Sequence, residues 1–308
     1  MTVDIHAIAR HYGGRVCNGN ALIPTPGHSS RDRGTAIRAN PVAPDGCLVA
    51  CFNGSNADAL AVKEMLRRDG FLEHYAPARE LSPVERRSLK RERAKQERAR
   101  LGREQAVARS AAELWSGAGP ADPAHPYLKA KALEPFGIRQ QGRELLVPML
   151  DAAFRLWNVQ RIRPDGFKLF LKNGRTAGLF WPHATHLSDG APTSGPLVIG
   201  EGFATMAAVH SATGFAVVAA LSARNLEPVA VAMRALFPTR ELILAADDDC
   251  HLAHNIGVEA ATTAAERVRG SVATPRPEPC SARCGTDFAD IPRNQVAARI
   301  AAARRATQ

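Results

Sequence analysis

Leu197-Val198-Ile199-Gly200-Glu201-Gly202 and, about 45 residues on, Leu242-Ile243-Leu244-Ala245-Ala246-Asp247-Asp248-Asp249 decide the fold. Each is a short apolar run that reads as a buried parallel strand and stops on carboxylates, where open α/β sheets place their ligand crevices. The segments around them alternate in the same sense. A small-residue helix is expected over 204–212, a buried strand over 215–221, and a helix over 227–237 that opens at Ser222 or Asn225 and stops at Pro238. A further helix over 257–269 ends at Gly270, and a last strand falls near 272–276. Strands alternating with helices of this length imply right-handed crossovers and an α/β, doubly wound, mainly parallel sheet. Asp290 is expected to cap the final helix, with Pro292 near its first turn.

Side chains alternate along an extended segment, so Asp247 and Asp249 point one way and Asp248 the other. Two carboxylates aimed at one point repel each other unless a cation lies between them. Mg²⁺ suits such a place, because it prefers a few carboxylates with water and substrate phosphate to a closed protein cage. Glu201, on the earlier strand, would complete a three-acid site. The structural alternative is that Asp248 and Asp249 cap the next helix and Glu201 is a turn residue.

Glu201 within Gly200-Glu201-Gly202-Phe203-Ala204-Thr205, followed by Asp247-x-Asp249, resembles the Toprim domain shared by bacterial primases, topoisomerases and certain nucleases, and most of all the phage- and plasmid-type primases of that group. The likeness covers about 196–291, with a looser one back to about 111. It implies that Glu201 acts in acid/base chemistry and that Asp247 and Asp249 hold Mg²⁺ or Mn²⁺. Thr205 stands where such primases often carry a further acid. In the resembling proteins an Asp-Phe-x-Asp segment borders the metal cleft, so Asp287 of Asp287-Phe288-Ala289-Asp290 is a candidate ligand for a second ion.

The first 75 residues resemble the zinc-binding recognition module that precedes many primases, with changes. Thr25 stands in place of the first Cys and Gly54 in place of the last, leaving His28 and Cys51. Two ligands cannot close a structural tetrahedral site, so residues 1–75 read as a degenerate, zinc-ribbon-like module in which zinc is not expected. Arg31 and Arg33 are its candidate phosphate contacts. Cys250, His251 and His254 follow the acids and read as flanking the cleft rather than as a zinc site.

Residues 76–110 read as a basic helical linker. Between Arg79 and Arg109 lie 11 basic and 5 acidic residues, +6 of a total of +10. Like-charge pairs such as Arg86 with Lys90 suggest weak helicity without a partner. Residues 111–195 read as a small α+β, primase-like subdomain, with a hairpin of strands 144–149 and 154–162 around Asp151-Ala152-Ala153. By the resemblance, its basic strands line a template groove; Arg161, Arg163, Lys168 and Lys172 are the candidates. Interleaved Phe and Lys suit single strands, whose bases stack and whose phosphates pair with cations. Residues 196–308 form the Toprim-type domain with a C-terminal helix.

Composition excludes several functions. With 308 residues and 45% hydrophobic content the chain can hold one large or two modest cores. No run of 18 apolar residues appears and no secretory leader opens the chain, so a cytoplasmic protein with no membrane partner is expected. The six cysteines make no disulfide framework. Only Tyr12, Tyr75 and Tyr127 are present, which leaves no strand-cutting tyrosine domain, and a Gly-x₄-Gly-Lys-Ser/Thr loop is missing, so any helicase is a separate partner. The expected function is a Mg²⁺-dependent nucleotidyltransferase resembling DNA primase, which uses a single-stranded DNA template and nucleoside triphosphates to make short primers in the replication of a phage, plasmid or other mobile element. The alternatives are a non-catalytic nucleic-acid-binding accessory protein and a Toprim-type nuclease.

Overall fold

The computed structural model describes residues 3–27, 29, 32–40, 43, 45–52, 56–72, 82–184, 195–248, 255–276 and 287–305. Asp249 and Arg31, together with His28, Gly54, Cys250, His251 and His254, lie outside the described residues. The chain divides into two compact units, Met1–Arg93 and Ala94–Gln308.

The first unit opens with α1 (Ile5–His11), followed by an antiparallel meander of β1 (Arg15–Cys17), β2 (Asn20–Ile23), β3 (Thr35–Ala39) and β4 (Cys47–Cys51), and then α2 (Asn56–Arg68). Ala21 and Ile23 alternate inward from β2 and meet Ile8, Ile37, Val62 and Leu66 in one apolar core. Thr25 and Cys51 come together around one hydroxyl. Thr35 Oγ1 donates to Thr25 Oγ1 at 3.1 Å and lies 3.4 Å from Cys51 Sγ, while the Thr25 N–H donates to the Asp32 carboxylate at 3.1 Å. Arg33 donates to the carbonyl oxygens of Asp32 and Gly13 at 2.6 and 2.8 Å.

A single helix of 34 residues, α3 (Pro83–Ser116), follows and runs beyond the expected end at 110. Opposite charges at helical spacing offset the like-charge pairs: Arg100 binds Glu97 at 2.5 Å and Glu104 at 2.6 Å. Glu104 and Ala111 are buried, so tertiary packing supports the later turns of this helix.

The second unit continues with β5 (Gly119–Pro120), α4 (Pro126–Ala130), β6 (Arg139–Gln141), β7 (Glu144–Leu150), β8 (Leu156–Ile162) and β9 (Lys168–Phe170), an antiparallel sheet in that order. The hairpin turn forms where the sequence places it. Its buried Asp151 accepts the Ala153 and Arg155 N–H groups, the Arg155 side chain and the Trp157 indole, bonds that outweigh burial and lower its pKa.

The chain then builds a second sheet from β10 (Trp181–His183), β11 (Leu197–Gly200), α5 (Phe203–Thr213), β12 (Ala216–Ala219), α6 (Leu226–Leu236), β13 (Leu242–Ala245), α7 (Ile256–Val268), β14 (Ser271–Ala273) and α8 (Arg293–Arg305). Strand order is β10-β12-β11-β13-β14, with β10 antiparallel at one edge and the other pairings parallel. Every residue of β11, β12 and β13 is buried, because helices cover both faces. Val198, Val217, Ile243 and Ala273 point into a core with residues of α5 and α8; Ile199, Val218 and Leu244 point into another with residues of α6 and α7. Inward residues of β7, Leu145, Val147 and Met149, join the first of these cores and so tie the antiparallel sheet to the α5 side.

The helix boundaries follow the reading closely, with two corrections. Asn225 is the N-cap of α6 but makes no capping bond with its side chain; the amide instead donates to Leu179 and Ala220 carbonyl oxygens, both at 2.7 Å. Asp290 stands three residues before the first residue of α8, and Pro292, not Asp290, directly precedes that helix. Asp290 receives an ion pair from Lys131 at 2.5 Å, and the first α8 bonds run from Gln295 and Val296 to the Pro292 carbonyl oxygen.

Candidate active site

The parallel sheet changes direction of winding at β11: the chain moves to β12 on one side, then returns to β13 on the other. A ligand crevice opens at such a switch point, beyond the carboxyl ends of the strands. Gly200 pairs in register with Ala245, which sets Glu201 one residue past β11 beside the stretch that leads to Asp247. The end of β11 is also tied to the end of β12, since Ala220 and Leu221 donate to the carbonyl oxygens of Gly200 and Glu201 at 2.8 and 2.7 Å. Leu221 holds a left-handed φ of 66° to do so, an uncommon conformation for a bulky side chain.

Asp247 is the electrostatic centre of this crevice. Burial, then the charges of Glu201 and Asp287, push its pKa from 3.8 up to about 7; the Thr205 hydrogen bond and the charge of Lys168 pull the other way. Thr205 Oγ1 donates to Asp247 Oδ1 at 3.3 Å from the first turn of α5. The structure thus brings Glu201, Asp247, Asp287 and Lys168 into one field from four separate segments. Lys168 stands at the start of β9, and its Nζ reaches to 4.0 Å from where a Cβ on Gly202 would be.

Asp248 turns the opposite way, as the alternation requires. It is buried, accepts from the Asn255 amide at 2.7 Å and faces Arg276 at 3.7 Å. Helix α7 is capped by Asn255, which accepts the Val258 N–H, so neither Asp247 nor Asp248 serves as its cap. Gly257 allows this helix to start against the site. A Cβ there would lie 2.2 Å from the Asp247 carbonyl oxygen, an impossible approach for any other residue without movement.

Asp287 is the N-cap of a short turn at Phe288–Asp290 and accepts the Ala289 N–H at 2.7 Å. Lys131, just after α4, reaches both Asp287 at 3.4 Å and Asp290 at 2.5 Å. Burial pulls the Lys131 pKa down, but the two carboxylates outweigh it and hold the ammonium above its ordinary range. Sequence reasoning gave no sign of Lys131 or of the close approach at Gly257, and it marked Thr205 only as standing where the resembling primases often carry an acid.

Two of the four basic strand residues are engaged with an acid. Arg161 binds Glu144 at 2.5 Å and Arg163 approaches the same carboxylate at 3.5 Å while stacking over Phe167. Lys168 and Lys172 are exposed. The segment that carries them is fixed by buried Asn158, whose side-chain oxygen accepts the Leu171 N–H and whose amide donates to the Arg175 carbonyl oxygen.

The donor set fits a hard divalent cation. Among the described residues the like charges that raise Asp247 are the carboxylates of Glu201 and Asp287, and a dication would relieve that repulsion. Among the described residues no group of three His, Cys, Asp or Glu side chains is assembled to hold an ion as it stands. Asp249 lies outside them.

Residues 196–298 match the Toprim domain family, so the chain carries a Toprim domain. Two Escherichia coli proteins, each named DNA primase TraC, are 37% identical to it over 187 and 150 residues. These alignments cover 58% and 48% of this chain but 12% and 14% of the relatives, so the chain spans about an eighth of the length of the curated relatives it matches. Among solved structures, the RNA polymerase domain of Mycobacterium tuberculosis primase DnaG aligns at 19% identity with a TM-score of 0.45, covering 66% of this chain and 83% of that one. The Aquifex aeolicus primase, with its zinc-binding and RNA polymerase domains, aligns at 14% identity with a TM-score of 0.39, covering 99% and 83%.

Proposed function

We propose that this Toprim-domain chain is a DNA primase-like nucleotidyltransferase that joins nucleotides on a single-stranded DNA template. The observation that carries the proposal is the convergence of Glu201, Asp247 and Asp287 on one desolvated point with Lys168 at its rim. Asp247, Asp249 and Glu201 would hold Mg²⁺ or Mn²⁺, with Asp287 serving a second ion. When bound, such ions would neutralise charge on phosphate and favour attack by a 3′-hydroxyl on the α-phosphate of a nucleoside triphosphate, with pyrophosphate leaving.

The protein's own groups do the rest. Glu201, at the open end of β11 and directly before α5, is placed to take or relay the proton of the attacking hydroxyl. Thr205 holds the Asp247 carboxylate in one orientation. Lys168 and Lys172 present cations to template phosphates, with Phe167 exposed nearby as a stacking surface. Arg161 and Arg163 contribute by keeping Glu144 neutralised and β8 in register, and reach DNA only by leaving that carboxylate. In the first unit, Thr25 and Cys51 meet at the Thr35 hydroxyl; the reading of a zinc-free remnant rests on Thr25 and Gly54 standing at two of the four expected ligand positions. Arg31 and Arg33 remain its candidates for phosphate contact, and a helicase is a candidate partner. No described helix is long and apolar enough to cross a membrane; we place the protein in the cytoplasm.

One assay decides among primase, nuclease and binding module. The protein is incubated with Mg²⁺, single-stranded DNA and labelled nucleoside triphosphates, and products are resolved by length. Extension products support the primase; shortened DNA alone means a nuclease; retained, unaltered DNA means a binding module.

A further inference from the structure

At the opposite end of the parallel sheet, where β13 begins at Leu242 and β14 at Ser271, arginines gather instead of acids. Arg234 from α6, Arg240 from the turn before β13, Arg269 from the turn before β14 and Arg304 from the last turn of α8 line a cavity of about 300 Å³ together with Glu241 and Ser271. Strands of four residues at about 3.3 Å per residue put roughly 13 Å of buried sheet between this cavity and the acid crevice.

The charges in this cavity are not balanced. Glu241 pairs with Arg304 at 3.1 Å. Among the described residues no carboxylate lies within ion-pair distance of Arg234, Arg240 or Arg269, so four arginines less one glutamate leave a balance of +3. Arg234 donates to the carbonyl oxygens of Val268, Phe237, Pro238 and Arg240, and Arg240 to those of Gly195 and Pro196. These bonds orient the guanidinium groups without cancelling their charge. Burial lowers the pKa of both, and for Arg234 the charge of Arg269 adds to the effect. Ser271 adds a buried Oγ with no hydrogen-bond partner among the described residues.

Clustered guanidinium groups, those of Arg234 and Arg240 fixed by backbone oxygens, with an unpaired hydroxyl beside them, are a donor set without its acceptor. A tetrahedral dianion supplies several acceptor oxygens at once and matches the fork of an arginine. We propose that this cavity is a phosphate-binding site, separate from the acid crevice, that takes a phosphoryl group either from a small phosphate compound or from a polynucleotide.

The test uses the full chain in chelator, so that no divalent ion can bridge phosphate to the acids. Thermal midpoints are measured with pyrophosphate against chloride of equal ionic strength, and binding is titrated with a short single-stranded oligonucleotide with and without a 5′-phosphate. Variants are Arg269→Gln, Ser271→Ala and, for the far crevice, Lys168→Ala. Pyrophosphate is expected to raise the wild-type midpoint, Arg269→Gln to weaken its binding by about 10-fold or more, and Lys168→Ala to leave it intact. Ser271→Ala should weaken it by about 2- to 5-fold without lowering the midpoint in chloride, because its hydroxyl has no bond to lose. That variant carries the decision should Arg269→Gln fold poorly. A response to the phosphorylated oligonucleotide alone, lost in the same variants, identifies the source as polynucleotide. The proposal is overturned if neither probe binds beyond the chloride control, or if binding is lost in Lys168→Ala and kept in both cavity variants.

Discussion

The two ends of the parallel sheet gather opposite charges by the same means. At the carboxyl ends of β11 and β13, Glu201, Asp247 and Asp287 crowd one another until the Asp247 pKa rises to about 7. At the amino ends of β13 and β14, Arg234 and Arg269 crowd one another until the Arg234 pKa falls. In both places burial is the largest cause and a like charge the next. Like charges held together cost free energy that the core must offset. The difference lies in the partners: Lys168 stands at the rim of the acids, Lys131 reaches Asp287 and the Thr205 hydroxyl meets Asp247, whereas Arg234 and Arg240 are held by carbonyl oxygens. On the functions proposed above, one end would take a cation and the other an anion.

The largest expected effect tests the acid end through pH. A carboxyl whose folded pKa is raised binds its proton more tightly in the folded state, so its contribution to stability is greatest below 3.8 and is lost as pH rises toward about 7. In chelator, the stability of the wild type relative to Asp247→Asn should fall by about 1.4 kcal/mol per pH unit from about pH 5 to 7, then level off. Mg²⁺ should restore the wild type above pH 7 and do nothing for a variant with both Asp247→Asn and Asp249→Asn. Chemical denaturation across that pH range measures both. A difference that does not change with pH would mean Asp247 is not under strain, and the likeness between the two ends would end there.

Next in size is Glu201→Gln. It removes a charge at the crevice with little change of shape, so synthesis should fall by about 10²-fold or more while binding of single-stranded DNA holds or tightens. Primer extension beside a binding titration reads the two separately. Full synthesis by this variant would transfer the proton-handling role elsewhere and leave Glu201 as one more acid of the field.

What the sequence reveals of this arrangement depends on whether the signal is local. Strands β11, β12 and β13 are legible because continuous apolar runs of this length have few other readings, and Asp247 and Asp248 diverge because strand alternation is a local rule. The acid centre follows from those two facts. The bond that Thr205 makes is not legible, although the resemblance marks its position, since a threonine inside an apolar helix pattern looks the same whether or not its hydroxyl reaches a carboxylate 42 residues away. Lys131 is hidden for the same reason, lying 156 residues from Asp287. The pairing of Arg161 and Arg163 with Glu144 is a cross-strand contact that composition cannot show. The arginine cavity draws one side chain from each of four separate places in the chain, and each arginine alone reads as ordinary surface. Helix α3 runs longer than charge counting suggests because burial of Ala111 and Glu104 enters nowhere in that count.

Gly257→Ala changes the acid end alone. The added Cβ must displace the Asp247 backbone or the start of α7, an overpacking that costs about 1 to 3 kcal/mol. Thermal or urea unfolding should show that loss together with a weaker response to Mg²⁺, while the response to pyrophosphate stays at the wild-type level. If the pyrophosphate response fell equally, the two ends would be one coupled unit and not two independent sites.

The smallest effect concerns the lysines at the rim. Lys168 both lowers the Asp247 pKa and stands exposed beside Phe167, so it has two possible duties, whereas exposed Lys172 has only the second. If both contact template phosphates, Lys168→Ala and Lys172→Ala should each flatten the dependence of log affinity on log salt by about 0.7, the counterion released per phosphate of a single strand. Only Lys168→Ala should also raise the Asp247 pKa further, shifting the levelling of the stability curve to higher pH. Titrations with single-stranded DNA at several salt concentrations, run beside the same pH series, separate the roles. Equal salt slopes for wild type and both variants would remove the lysines from the template path. Arg161 and Arg163 would then be the remaining candidates on this sheet, and their release from Glu144 the step to examine.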